Sequence, residues 1–493
     1  MALQRNKMFL MGGLVCGLIF AALLLVRTGL VSLSEAPLLT AREIPTGPLD
    51  ASERWMAILQ GDRRIGTTYS RLEPVEAGYR LTEKVTMRIN TMGLVQDLVL
   101  DSSGWLNPDL TLARFTFAMH SGLFTFAATG HVEDHHLVCR IQSGGEERHL
   151  RLPLEAPPYL TAGIFPAVVK AGLAPGERRA FHIFDPSTMA QEKITLAMQG
   201  RETLRLGDRS VEALKVSLEF KGVSQEAWLD DKGQVLMEKG LLGIRQERIS
   251  REEALFGRPV TASGDLTQVA AVVPDRNLPD PTTLSQLTLQ LDGIDLERYA
   301  LDDGRQHLAG NQLTLTRESL SDLSTPFAQD RLSPAMASSL APSTFVQSDH
   351  PKIQALAAQL VDPDDAPLAN LDRIVAWIQI NIAKRPVLSL PDALTTLDKR
   401  MGDCNEHAVL MAALARAAGY PAQVEAGLVY QKGRFFYHAW NRVYIGRWIT
   451  VDALFGQIPA DVSHIRFTRG TAQQQLDILP LLGNLQIRVV GME

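Results

Sequence analysis

The chain has 493 residues, 45% of them hydrophobic and 21% charged, with a formal net charge of -6 and a pI near 6.0. That balance is ordinary for folded globular protein, gives room for two to four domains, and offers no basic surface for nucleic acid. No phosphate loop, zinc-ligand spacing or dinucleotide fingerprint is present, so neither a nucleotide cofactor nor a bound metal is expected.

In chain order, the first element is an unbroken apolar run from Met8 to Val26, with Arg5 and Lys7 before it and Arg27 after it. Nineteen helical residues at about 1.5 Å each cross a hydrocarbon core of about 30 Å, and the run exceeds the usual core of a cleaved signal. Residues 1–30 are therefore read as an uncleaved transmembrane anchor. The excess of positive charge on the N-terminal side keeps that end in the cytoplasm. The expected location is the inner (cytoplasmic) membrane, single-pass, with the main domains outside it. Cys16 lies in the run after Leu14-Val15, where lipidation would want a small residue before the cysteine. Residues 31–50 carry Pro37, Pro45 and Pro48 and read as a tether.

Residues 51–260 are dominated by a period of two, at 79–89, 94–100, 112–117, 123–127, 132–141 and 214–220. Glu76-Ala77-Gly78, Asp101-Ser102-Ser103-Gly104 and Asp230-Asp231-Lys232-Gly233 read as turns, and 157–173 as an apolar helical interruption. The expectation is a large antiparallel β domain, curled toward a partial barrel. Leu137, Cys139 and Ile141 alternate on one face, which makes Cys139 core filler. His131, Glu133, Asp134, His135 and His136 form a polar cluster best read as a solvated hairpin tip, since adjacent histidines on a strand point to opposite faces. Residues 261–345 read as a small β segment, with strands at 284–291 and 312–316, and a linker rich in Ser, Ala and Pro.

In residues 346–493, Leu371, Ile374, Val375, Ile378 and Ile382 give an amphipathic helix, with Trp377 off the stripe. Further on stands Gly402-Asp403-Cys404-Asn405-Glu406-His407. Asp403 and Glu406 form a capping box, so Cys404 should open a helix that stops at Gly419-Tyr420-Pro421. The positive end of that helix favours a thiolate and Asp403 opposes it. His438 follows 34 residues later and Asp452 a further 14, on three short strands joined by tight turns. A thiol, a base and an orienting carboxylate are the groups that acyl transfer through a thioester requires. His407, one turn beyond Cys404, is an alternative base. The amide of Cys404 is the candidate oxyanion donor.

Hairpin arithmetic sets a condition on this set. A two-residue turn at Gly446-Arg447 would put His438 and Asp452 on opposite faces. Pairing Tyr444 with Trp448 around a three-residue loop puts them diagonally on one face, about 7 Å apart in backbone.

These motifs, with Arg416-Ala417-Ala418-Gly419-Tyr420-Pro421-Ala422, Tyr437-His438-Ala439-Trp440-Asn441 and Trp448-Ile449-Thr450-Val451-Asp452, resemble the bacterial transglutaminase-like superfamily over about a quarter of the chain. Similar members often follow the aspartate with Pro-Thr, where this chain has Ala453-Leu454. The resemblance implies an α+β fold: a C-terminal transglutaminase-like, papain-like domain after the large antiparallel β domain and the transmembrane helix. It also implies Cys404 as nucleophile, His438 as base and Asp452 as its orienter. The expected activity is amide hydrolysis or amine acyl transfer on a protein or peptide substrate of the cell envelope, with envelope proteins as partners. The rival expectation is a non-catalytic peptide-binding or scaffold protein.

Overall fold

The computed structural model describes residues 36–39, 48–122, 124–321 and 333–493. The apolar run at 8–26 and much of the expected linker lie outside them. Among the described residues no helix is long and apolar enough to cross a membrane.

The period-two region forms one 14-stranded antiparallel sheet. Strand 1 (Ser52–Gln60) lies at its middle, flanked by Arg63–Val75 on one side and Ile244–Ile249 on the other. The two outer strands are Glu146–Pro153 and Arg178–Asp185. Alternate side chains point inward, and the core they build includes Phe115, Leu137, Cys139, Ile141, Phe181 and Phe184. The helix Thr161–Lys170 buries Ile164, Phe165, Ala167 and Val168 in the same core. Residues 36–39 do more than connect. Leu38 bridges Ala180 in parallel, and Leu39 is buried with its N–H donating to the Ala180 carbonyl, which occupies polar groups that an outer strand would leave open.

Two expectations need correction. Asp101-Ser102-Ser103-Gly104 is not a turn but part of the strand Leu94–Leu106, paired on both sides. Its glycine leaves space that the end of the Leu160 side chain fills, since a Cβ on Gly104 would meet Leu160 Cδ1 at 2.3 Å. The expected strand 132–141 is broken at Asp134 and His135, both at positive φ, so the histidine cluster is an exposed hairpin tip between Phe124–Glu133 and His136–Ser143.

A second sheet has the order His307's strand (Gln306–Ala309), Gln312–Thr316, Gln286–Asp292 and Gln486–Met492, so the end of the chain returns to pair with residues 286–292. A third has the order Trp448–Val451, Arg434–Tyr444, Ala422–Gln431 and Ile465–Arg469. One face of the third sheet packs on the helix Cys404–Ala417 through Val424, Ala439, Val443 and Ile449. The other face shares a core with the second sheet through Leu287, Leu289, Leu428, Phe435 and Phe467. Packing on both faces explains why Ala422–Gln431 is buried nearly throughout instead of alternating between buried and exposed.

The large sheet grips this half along its outer strand. Arg148 bonds Asp392 at 2.8 Å, and Asp392 caps the helix Ala393–Lys399. Ser143 meets Thr395 at 2.8 Å, and Glu146 pairs with both His350 and Lys352.

Gly427 lies opposite His438 in the third sheet, and a Cβ on it would fall 1.9 Å from the Ile465 carbonyl oxygen. Gly427→Ala is expected to push the 465–469 strand away and cost about 1–3 kcal/mol. An unchanged denaturant midpoint would contradict this.

Candidate active site

The capping box forms as its spacing requires. Asp403 accepts from the Asn405 amide at 3.0 Å, and Glu406 accepts from the Asp403 amide at 2.9 Å. Cys404 is the first residue of the helix, and its amide has no partner among the described residues. The thiol lies against the neighbouring strand, where it accepts from the backbone N–H of Ala439, one residue past His438.

Tyr444 pairs with Trp448, the register that contact between His438 and Asp452 demands. Nε2 of His438 stands 2.6 Å from Asp452 Oδ2, which leaves Nδ1 for another partner. The ring is sandwiched between Phe455, 4.9 Å away and tilted 15°, and Trp440, 5.9 Å away and tilted 21°. Trp440 is itself fixed through Nε1 to Glu425 at 2.9 Å. The carboxylate is fixed on its other side, since the Phe455 amide donates to Asp452 Oδ1 at 2.9 Å. Ala453-Leu454, standing where similar members often have Pro-Thr, is tied down through its carbonyls, both of which accept from Gln379 Nε2.

The site is nearly closed to solvent. Cys404 is 8% exposed, His438 6% and Asp452 0%. Burial, with Asp403 adding to it, pushes the Cys404 thiol well above its ordinary range, against the Ala439 N–H and the helix N-terminus. The expected tendency toward thiolate is therefore reversed in the resting site. Burial works against the Asp452 carboxylate too, but His438 and His464 outweigh it and hold the group well below the usual carboxylate range. His407 is turned to its own helix: Nδ1 faces the Asp403 carbonyl at 2.7 Å, and burial lowers its basicity. That leaves His438, oriented by a carboxylate, on the strand whose Ala439 N–H meets the thiol.

Sequence reading missed three contributors. His464 is fully buried and reaches the same Asp452 oxygen at 3.0 Å. Asp461 stands behind His464 at 3.2 Å. Arg305, from the small segment, donates to the carbonyls of Ala460, Asp461 and His464 and so fixes that loop. No local spacing signals any of them; a search for a histidine after Asp452 would have found His464 alone. His438, Asp452 and His464 place ligand-type atoms within 4.8 Å of one another, the spacing of a metal site. Asp452 Oδ2 is already the shared acceptor of both rings, so the trio is satisfied as a hydrogen-bond network.

Residues 354–453 match the transglutaminase-like superfamily, and this part of the chain is a transglutaminase-like domain preceded by a large antiparallel sheet. Among solved structures, the chain is similar to a putative cysteine protease from Cytophaga hutchinsonii, at 20% identity over 42% of this chain and 86% of that one, with a TM-score of 0.29. It is also similar to the periplasmic domain of TgpA from Pseudomonas aeruginosa, at 17% identity over 38% and 87%, with a TM-score of 0.24. A third similarity is to a β-barrel-like protein of the family DUF1849 from Brucella abortus, at 10% identity over 44% and 98%, with a TM-score of 0.31. Likenesses of this extent transfer no role to the present chain. No curated protein matches.

Proposed function

We propose that this chain is a membrane-anchored envelope protein whose C-terminal domain acts on amide bonds of protein or peptide substrates through a thioester on Cys404. The observation that carries the reading is the 2.6 Å bond between His438 and Asp452, on a strand whose Ala439 N–H meets a thiol at a helix N-terminus. In the reaction, the Cys404 S–H proton passes to His438 Nδ1 as sulfur attacks the carbonyl carbon. The free Cys404 amide stabilises the oxyanion. Collapse breaks the C–N bond, and the leaving amine takes the proton from His438. Water then gives a peptidase or amidase, and a second amine gives a transferase. The anchor rests on the 8–26 apolar run and its flanking charges, which also direct the described domains to the outer side of the membrane.

The second reading, a non-catalytic peptide-binding or scaffold protein, draws support from the near-closure of the site and the elevated thiol. Alkylation separates the two. On the alkaline side of neutrality, where Cys404 should begin to ionise, iodoacetamide should modify it at least about tenfold faster than Cys139, whose thiol burial pushes up to about 12. Equal, slow modification of both would favour the scaffold.

A further inference from the structure

His464 is flanked by acceptors on both ring nitrogens. Nε2 faces Asp452 Oδ2 at 3.0 Å, and Nδ1 faces both the carboxylate and the carbonyl oxygen of Asp461 at 3.2 Å. A neutral imidazole has one nitrogen without a hydrogen, and in this setting that bare lone pair would face oxygen on either choice of tautomer. Only the doubly protonated ring satisfies both contacts. The Asp461 carboxylate cannot turn away, because it also accepts from the amide and hydroxyl of Ser463 and from Gln457.

We propose that His464 is a positively charged positioning residue of this site, which holds Asp452 toward His438 while offsetting the pull of Asp452 on the His438 ring, so that Cys404 rests as a thiol. The proposal rests on the acyl-transfer reading for its purpose, but its chemistry is local. Asp452 Oδ2 bonds both rings, and the His438 and His464 centroids are 5.7 Å apart. Moving the thiol proton to His438 therefore creates a second cation beside an existing one, with one carboxylate between them. At that separation the bare repulsion is worth about threefold in the proton-transfer equilibrium at the dielectric of water and roughly a hundredfold at an effective dielectric near 20, less what Asp461 shields and what the same cation gains from the thiolate.

The surroundings of His464 do not reverse the sign. Arg305 approaches its carbonyl, with Glu318 3.9 Å behind that guanidinium. Cys404 and His407 lie beyond Asp452, within its field. Trp440 presents an uncharged face to the ring at 5.2 Å. Burial opposes a charge on His464, and the bonds to Asp452 and Asp461 outweigh it, raising the group above the ordinary histidine range.

The test is the pH profile of Cys404 alkylation by iodoacetamide in the full-length chain, read by peptide mass so that Cys404 is followed alone. Wild type should react appreciably only on the alkaline side. His464→Gln, which keeps a donor for Asp452 but removes the charge, should react at least about tenfold faster at pH 6.5, with its profile displaced to lower pH. Superimposed profiles, or a displacement to higher pH, would overturn the proposal. Should that variant fail to fold, His464→Asn removes the same charge with a smaller side chain and should move the profile in the same direction; no movement overturns it. The ring itself gives a reading without any substitution: the 15N resonances of His464 in wild type should show both nitrogens protonated at pH 8, and a neutral tautomer there refutes the idea. Alkylation needs no substrate, so a chain that behaves as expected in this assay yet turns over no amide would sink the acyl-transfer reading and leave this one standing.

Discussion

Cys404→Ala is expected to abolish amide turnover, by a factor on the order of 10^4 to 10^6, because the thioester cannot form and no neighbouring group replaces sulfur. The fold should survive, since the change removes one sulfur at the edge of a core built by Leu410, Met411, Val424 and Ile449. The cost in stability should be about 1 kcal/mol. His438→Ala should lose activity comparably but is the poorer probe. It empties the space between Trp440 and Phe455, so His438→Gln is the better choice for separating chemistry from packing. Retained turnover in the Cys404 variant, measured against a peptide library by mass, would refute the nucleophile.

The second large effect is on stability. Asp452 is fully buried and bonds His438, His464 and the Phe455 amide, so it is more than an orienter. Asp452→Asn leaves the His464 imidazolium with one carboxylate instead of two, and is expected to cost about 3–5 kcal/mol near neutral pH. The pH dependence has a definite sign. The folded Asp452 carboxyl is depressed, so its contribution is present above the unfolded value of about 3.9 and is lost as pH falls through the folded one. His464 is raised, so its contribution is full below about 6.5 and is lost as pH rises through its folded value. Wild type should thus lose stability in acid and on the alkaline side of neutrality. The gap between wild type and Asp452→Asn should narrow as pH falls below about 4, where the unfolded carboxyl takes up its proton while the folded one is still ionised. A pH-independent gap in urea midpoints would contradict this.

What the sequence disclosed was local. The capping box is an i, i+3 relation within one turn, and the pairing of Tyr444 with Trp448 follows from parity along a short hairpin. The 79–89 and 312–316 strands were legible for the same reason. What it concealed was long-range or set by packing. Arg305 reaches His464 across 159 residues, and the 486–492 strand pairs with 286–292, contacts that no window spans. Asp101-Ser102-Ser103-Gly104 has the composition of a turn, yet lies in a strand whose neighbours on both sides satisfy its backbone and whose glycine makes room for Leu160. The thiol was misjudged because helix position is visible in sequence and burial is not.

The central claim is a covalent acyl-enzyme on Cys404. Wild-type chain, incubated with the peptide library and quenched in acid, should carry an acyl mass addition on the peptide containing Cys404 and none on that containing Cys139. Turnover without any such adduct, or an adduct on a residue other than Cys404, would contradict the account.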